Sequence, residues 1–355
     1  MKTTYLLLCL LGIGSVSGAG QTKQPQKIGD FIESTSYNEH RRNATRSLQY
    51  TPDGDDFVCI NGKNRFTRAL YGSHTAFRLE TSDRPVFAAY TKENPKHICF
   101  KLQTSGGTVA LDSTEHCESR YTAGRRSYSL SDPAFGGGSL SITTWALPDK
   151  EGAIWQFNAR NFKEFHPVLL ASISEIRNSK LNRNGDMGAD PADSFEAPLQ
   201  PQQLQSFPVQ IDGTLYILLE NQELRTLTTA EGENLFKKAE AARSETASRI
   251  RIETPDPYFN TLGGTLAMAA DGIWDGEVWL HGAIGWRMPL SGWRAAYTGD
   301  VLGWHDRART HFNAYAASQV TEVPNTLPHP AQDSALHLAR SVKKWGTPQY
   351  SNGYI

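Results

Sequence analysis

The sequence predicts a mainly β fold followed by α-helices, and three observations support this prediction. Short apolar runs separated by turn-forming residues recur from about residue 47 to 225. A proline-free stretch rich in Ala, Glu, Lys and Arg follows, from Leu227 to Ile252. Beyond Pro257 the apolar residues are spaced as in helices that pack tightly.

The N-terminus has the pattern of a secretory signal peptide. A lysine at position 2 precedes an almost wholly apolar run from Tyr5 to Gly14, and small residues follow at Ser17 and Ala19. The apolar run is too short for a membrane span, which needs about 20 residues. We therefore expect residues 1–19 to be a signal peptide, residues 20–46 to be a polar leader, and the protein to be periplasmic or extracellular.

Residues 47–225 are predicted to form a β-sandwich. The run that ends at Ile60 is followed by Asn61 and Gly62, a pair typical of hairpin turns. Many short strands with regular turns are typical of a sandwich. The other predicted strands span residues 66–71, 75–79, 86–90, 97–102, 108–111, 139–147, 153–158, 168–173 and 209–219, the last broken at Asp212 and Gly213.

Residues 226–257 are predicted to be a helical linker. Thr228 or Thr229 could cap the helix, with Glu231 or Glu233 in its first turn. Residues 258–355 form the last predicted domain, with helices at 258–270, 300–317 and 331–344.

Charge and hydrophobicity argue against two kinds of partner, nucleic acid and a spanned membrane. The formal net charge of −1 gives no electrostatic basis for binding nucleic acid, and no later segment is long and apolar enough to span a bilayer. Of the three cysteines beyond the signal peptide, Cys99 and Cys117 could form a disulfide, or all three could be buried thiols.

We expect no metal centre or other cofactor. The spacing of cysteines and histidines does not suggest zinc. Oxygen-bearing side chains at Asn182, Asn184 and Asp186 resemble a calcium-binding loop, but the closing glutamate is absent. A polar turn between strands is the favoured interpretation of this segment.

The segment from Trp274 to Trp304 contains five of the eight tryptophans, interspersed with acids, arginines and glycines. Indole rings stack on the apolar face of a sugar, while carboxylate and guanidinium groups bond its hydroxyls. Glycosidic hydrolysis needs two carboxyl groups across the scissile bond. The alternative is a tryptophan-rich core with acids on its solvated side.

The candidate residues follow from this chemistry. The glycines at 272, 276, 282, 285, 292, 299 and 303 suggest loops in which the backbone approaches a ligand. The catalytic candidates are Asp271, Asp275, Glu277 and Asp300. The substrate-binding candidates are Trp274, Trp279, His281, Trp286, Arg287, Trp293 and Arg294.

Four segments, Arg65–Gly72, Asp132–Gly138, Arg183–Asp190 and Trp274–Trp304, resemble large exported proteins of gut-type bacteria. Those proteins carry an N-terminal domain of unknown function, number 4450, and are named as glycoside hydrolases of polysaccharide-utilisation systems. The resemblance implies a β-sandwich, a helical linker and an (α/α)6 toroid. Gly292–Asp300 also resembles the early toroid of rhamnosidase-like enzymes.

The resemblance also predicts that the chain is an N-terminal fragment, because a complete toroid has more helices than follow residue 257. The leading hypothesis is the N-terminal part of a secreted glycoside hydrolase acting on polysaccharide, weakly active or inactive by itself. The alternative is a non-catalytic carbohydrate-binding protein that uses Trp145 and Trp155 of the sandwich. A lyase acting on uronates is a third possibility.

Overall fold

A computed structural model describes residues 50–63, 68–72, 77–90, 96–162, 167–176, 204–280 and 289–317, all within one compact unit, Gln49–Ile355. The side chains of residues 68, 289–294 and 315–317 lie outside the description. The predicted signal peptide, polar leader, calcium-like loop and helix at 331–344 also lie outside it.

The first sheet has eight antiparallel strands in the order β1-β2-β8-β9-β10-β11-β14-β15. A turn at Gly54, whose φ is +60°, joins β1 to β2. In this order the strands are β1, Thr51–Asp53; β2, Asp56–Ile60; β8, His116–Thr122; β9, Arg125–Ser131; β10, Ser139–Ala146; β11, Gly152–Arg160; β14, Thr214–Glu220; and β15, Glu223–Leu227.

The second sheet has seven antiparallel strands in the order β13-β12-β6-β5-β4-β3, with β7 also paired to β6. In chain order, β3 to β7 are Arg68–Tyr71, Arg78–Thr81, Val86–Tyr90, Lys96–Thr104 and Gly107–Ala110. The remaining two strands are β12, Val168–Glu175, and β13, Gln205–Pro208.

Aromatic side chains from both sheets meet in one hydrophobic core. Trp155 of the first sheet packs edge-on against Phe87 and Phe100 of the second, at ring-centroid distances of 5.4 and 5.7 Å. Tyr128 contacts Phe87 in the same way at 5.9 Å. The sheets therefore form a sandwich-like arrangement, as the alternating apolar residues predict.

Among the described residues, four α-helices follow the sheets: α1, Thr229–Ala247; α2, Pro257–Gly272; α3, Pro289–Val301; and α4, His305–Ala317. Thr228 and Glu231 form a capping box at the start of α1, which confirms one of the predicted pairs. Asp256 caps α2, and Pro257 occupies its first turn, where a missing N–H costs nothing.

The structure corrects the hairpin predicted at Asn61 and Gly62. Strand β2 pairs with β1 and β8, and the next strand, β3, belongs to the other sheet. Asn61 has a left-handed φ of 50° and bonds the backbone of Cys117 through its N–H and Oδ1. The pair therefore ends a strand where the chain crosses between sheets.

Of the two alternatives for the cysteines, the structure selects thiols over a disulfide. Cys59, Cys99 and Cys117 form no disulfide with one another. Cys117 lies in the core between the sheets, whereas the thiol of Cys99 lies 2.9 Å from the hydroxyl of Ser172 on the paired strand β12. Burial raises the pKa of Cys117 to about 12, so this thiol is unreactive at neutral pH.

Candidate functional site

A cleft of about 230 Å³ lies where the sandwich meets helices α1, α2 and α4. It is smaller than the ~300–1,000 Å³ of pockets that hold drug-sized ligands, so it suits one small polar molecule. The lining side chains that matter chemically are Tyr71, Trp145, Arg243, Arg249, Asp271, Trp304 and Arg307.

Helix α1 is held against the first sheet by Trp145 of strand β10. The indole ring of Trp145 packs on Phe236 at a centroid distance of 4.1 Å. Its Nε1–H donates to Glu240 Oε2 at 2.9 Å, so the polar edge of a buried indole is satisfied. This contact forms the wall of the cleft on the side of the sandwich.

Glu240 connects this wall to two arginines. Arg243 donates to both of its carboxylate oxygens, and Arg125 Nη1 lies 3.4 Å from Oε1. Burial by itself raises the pKa of Glu240, but the hydrogen bonds from Arg243 and Trp145 outweigh it and leave the pKa below its usual value. The carboxylate is therefore ionised at neutral pH.

Tyr71 comes from the second sheet and packs against the end of α2. A Cβ atom at Gly272 would lie only 2.2 Å from the Tyr71 ring, so the close approach requires glycine. Burial raises the pKa of Tyr71 to about 12. Its hydroxyl therefore keeps its proton and can donate a hydrogen bond at neutral pH.

The helical side of the cleft is built on a cluster of three tryptophans. Trp274 and Trp279 pair across a short β-bridge with ring centroids 4.6 Å apart, and Trp304 lies 6.4 Å from Trp279. Trp279 is 1% exposed, and its Nε1–H donates to the carbonyl oxygen of Ala270. Its indole is a core element that offers no open face to a sugar.

Two arginines contact the cluster and line the cleft. Arg307 lies 4.9 Å from the ring centroid of Trp304 and 5.7 Å from that of Trp274. Arg249 lies 5.0 Å from the ring centroid of Trp304. Such cation–π contacts attract each guanidinium group towards the indole rings.

Of the four candidate acids, only Asp271 lines the cleft. It is near the end of α2, and its Oδ1 accepts a charge-assisted hydrogen bond from Arg307 Nη1 at 2.6 Å. Asp271 and Arg307 stand 36 positions apart in the sequence.

The other three acids have local contacts elsewhere. Asp275 Oδ1 accepts hydrogen bonds from the backbone N–H groups of Glu277 and Val278, which stabilises the turn between Trp274 and Trp279. Glu277 lies in that turn, and Asp300 lies 2.6 Å from His305 Nδ1 on an exposed surface. The structure therefore does not bring these acids together with Asp271 at the cleft.

Five of the substrate-binding candidates have side chains outside the described part of the chain. His281, Trp286 and Arg287 lie outside the described residues. Trp293 and Arg294 are in α3, but their side chains are not described. The predicted glycine loops are partly wrong, because Gly272, Gly292 and Gly299 are helical, whereas Gly276 and Gly303 occupy turns with positive φ.

No sequence pattern pointed to the arginines that line the cleft, which are Arg243, Arg249 and Arg307. The first two follow Glu240 at three and nine positions, close to the end of the linker helix. Glu240 and Arg243 are spaced i, i+3, so the sequence shows that they can pair on one face of the helix. Whether Arg243 faces a cleft depends on how helix α1 packs on the sheet, which the sequence does not show.

The sandwich residues of the alternative binding hypothesis are buried. Trp155 is fully enclosed between the two sheets, and Trp145 lies beneath helix α1. Neither indole ring presents a face for stacking. Within the described part of the chain, no group of three His, Cys, Asp or Glu side chains is arranged to hold a metal ion.

Part of the chain matches a known protein family. Residues 95–250 match the family described as Domain of unknown function (DUF4450). The match spans β6 to the end of α1 and includes Trp145, Glu240, Arg243 and Arg249, whereas Asp271 and Arg307 lie beyond it. No curated protein matches the chain. Across the described ranges, no helix has the length and apolarity needed to cross a membrane.

Proposed function

We propose that this protein acts on carbohydrate, as part of a glycoside hydrolase for polysaccharide, and that the cleft is a sugar-binding subsite. The observation that carries the proposal is the Asp271–Arg307 pair in a cleft that also contains Tyr71 and Trp304. Carboxylate and guanidinium groups offer the acceptors and donors that sugar hydroxyls need, and aromatic carbon covers the apolar face.

Asp271 is the first candidate for acid or base chemistry within this proposal. It is the only acid of the four candidates that lines the cleft, and its side chain is 17% exposed. Hydrolysis needs a second carboxyl group, about 5–5.5 Å away for retention or about 6.5–9.5 Å away for inversion.

A non-catalytic carbohydrate-binding role is the second candidate function. Among the described residues that line the cleft, the carboxylates are Asp271 and Glu245. Glu245 is 78% exposed and points a flexible side chain towards solvent, which is poor placement for a catalytic group. This observation favours binding over hydrolysis, and the arginines and tyrosine would then serve only recognition.

Two further expectations belong to the same proposal. Helices α2 to α4 would form part of an (α/α)6 toroid, with the cleft between it and the sandwich. The predicted signal peptide would direct the protein to the periplasm or the exterior, where polysaccharide is available.

The test is a panel of plant and host polysaccharides incubated with the protein, with reducing ends measured over time. We expect one substrate to be bound or cleaved, and Asp271→Asn to abolish cleavage while Asp300→Asn, outside the cleft, leaves it unchanged. Binding without cleavage selects the second function. Unsaturated products that absorb in the ultraviolet would indicate a lyase, and the absence of both binding and cleavage would reject the proposal.

A further inference from the structure

We propose that the cleft recognises an acidic sugar, a uronate, and that Arg249 and Arg307 bind its carboxylate. This inference rests on the proposed function and specifies the substrate class of the same site. Three features of the cleft support it: the weak compensation of the Arg249 charge, the available donors of Arg307, and the volume of the cleft.

Among the described residues in and behind the cleft, the charges do not cancel. Arg125, Arg243, Arg249 and Arg307 stand against three carboxylates, those of Glu240, Glu245 and Asp271. Glu240 is fully engaged by Arg125, Arg243 and Trp145. The excess by count is therefore at the Glu240 end, and Arg249 and Arg307 are matched in number by Glu245 and Asp271. What leaves positive charge available near Arg249 and Arg307 is the weakness of one of these two pairs.

Glu245 compensates Arg249 only weakly. Their closest nitrogen–oxygen distance is 3.8 Å, and the Glu245 side chain is largely in water, where an ion pair contributes little. Arg249 also donates from Nη1 to the carbonyl oxygen of Leu302 at 2.9 Å. That bond fixes the guanidinium group at the end of α3 without neutralising its charge.

Arg307 also keeps hydrogen-bond donors available. Its Nη1 donates to Asp271, and among the described residues its remaining N–H groups have no hydrogen-bond acceptor. Its side chain and that of Arg249 are about one-third exposed, at 32% and 28%, so a ligand can reach both. A guanidinium fork held by stacking is suited to bidentate binding of a carboxylate.

The remaining lining suits a sugar better than a small inorganic anion. The volume of about 230 Å³ exceeds what one carboxylate or phosphate group fills. Tyr71 and the exposed edges of Trp304 (8% exposed) and Met268 (5% exposed) add a small apolar surface, which an inorganic anion cannot use and the C–H groups of a sugar ring can. A uronate combines this ring with a planar carboxylate on one molecule.

The experiment compares matched pairs of sugars that differ only in the acid group: a glucuronide with a glucoside and a galacturonide with a galactoside, with acetate as the anion alone. Binding to the full chain is measured by calorimetry at low and high salt. We expect the acidic member of at least one pair to bind about tenfold more tightly than its neutral partner, with a preference that salt reduces.

Two variants and one control test whether Arg249 and Arg307 cause the preference for the acidic sugar. Arg249→Gln should remove the preference for the acid, whereas Arg251→Gln, at an 87% exposed position two residues further on, should leave it unchanged. Arg307→Lys keeps the charge but loses the planar fork, so it should weaken binding of the acid while thermal unfolding shows that the protein is folded.

The possible outcomes separate this inference from the proposed function. Equal binding of acidic and neutral sugars overturns the inference and leaves the proposed function standing. Acetate binding as tightly as the uronates overturns the sugar part, because the site would then be a general anion site. If none of these sugars binds and the polysaccharide panel is also negative, both proposals are rejected.

Discussion

His97 is a histidine buried in the second sheet. It lies on β6, opposite Ala88 of β5 and Ser174 of β12, and among the described residues neither ring nitrogen has a partner. Burial lowers its pKa to about 4, with a smaller opposing effect from the charge of Asp112. The protein therefore folds around the neutral imidazole.

This burial predicts a specific sensitivity to acid. The unfolded chain has a histidine pKa of about 6.5, so it binds the proton more readily than the folded protein does. The stability due to neutral His97 is complete above that pKa and is lost as the pH falls towards about 4. We expect the free energy of unfolding to fall by about 2 kcal/mol between pH 7 and 5 from this residue alone.

Urea unfolding at several pH values checks the prediction. His97→Leu should flatten the dependence between pH 7 and 5, while the same change at the exposed His116 should not. An unchanged slope in the His97 variant would contradict the assignment.

At the scale of the element, helix α3 depends on a glycine where it crosses the tryptophan cluster. A Cβ atom at Gly299 would lie 2.2 Å from the ring of Trp279. Glycine in a helix normally costs about 1 kcal/mol relative to alanine. The close approach to a buried indole explains why glycine is needed here.

Gly299→Ala should therefore destabilise the protein, by about 1–3 kcal/mol, although the same change in an open helix would stabilise it. Val301→Ala in the same helix is the matched control, because Val301 is 87% exposed and should have little effect. Thermal unfolding measures both. A more stable Gly299→Ala variant would show that α3 does not pack against Trp279 in this way.

The strands also show which elements a sequence pattern can identify. Most apolar runs became strands, including β5, β10 and β11. The apolar pattern did not predict strands β8 and β9, although they lie near the middle of the first sheet. Their alternate positions carry Arg, Glu, Ser and Thr, so neither forms an apolar run, and each is buried on one face only.

At the scale of the whole molecule, Glu240 joins the sandwich to the helices. It accepts hydrogen bonds from Trp145 of β10 and Arg243 of its own helix, and it pairs with Arg125 of β9. The DUF4450 match includes both sides of this joint. Helix α1 is thus packed onto the first sheet through a satisfied polar network.

Glu240→Ala should destabilise the protein by about 2 kcal/mol, because it leaves two guanidinium groups and an indole N–H without their acceptor. The value is lower than for a fully buried pair, since the side chain is partly exposed. Hydrogen exchange in α1 should increase. Glu233→Ala, exposed on the same helix, is the control, and equal stability of the two variants would contradict the role of Glu240.

Only part of the candidate site could be predicted from the sequence. The tryptophan-dense segment and Asp271 were identified because aromatic and acidic residues are concentrated there. The cleft also needs Tyr71, Trp145 and Arg249, which are separated by up to 178 positions in the printed numbering. No local pattern shows that such residues will meet.

By itself the sequence determined the class of most elements, the order of a β-sandwich followed by helices, and a short set of possible capping pairs for α1, because these follow from local periodicity and capping. Only the tertiary structure decided that Trp279 is a core residue and that Arg249 and Arg307 face a cleft with Asp271. Burial and charge pairing depend on which elements pack together, and that packing is a property of the whole chain.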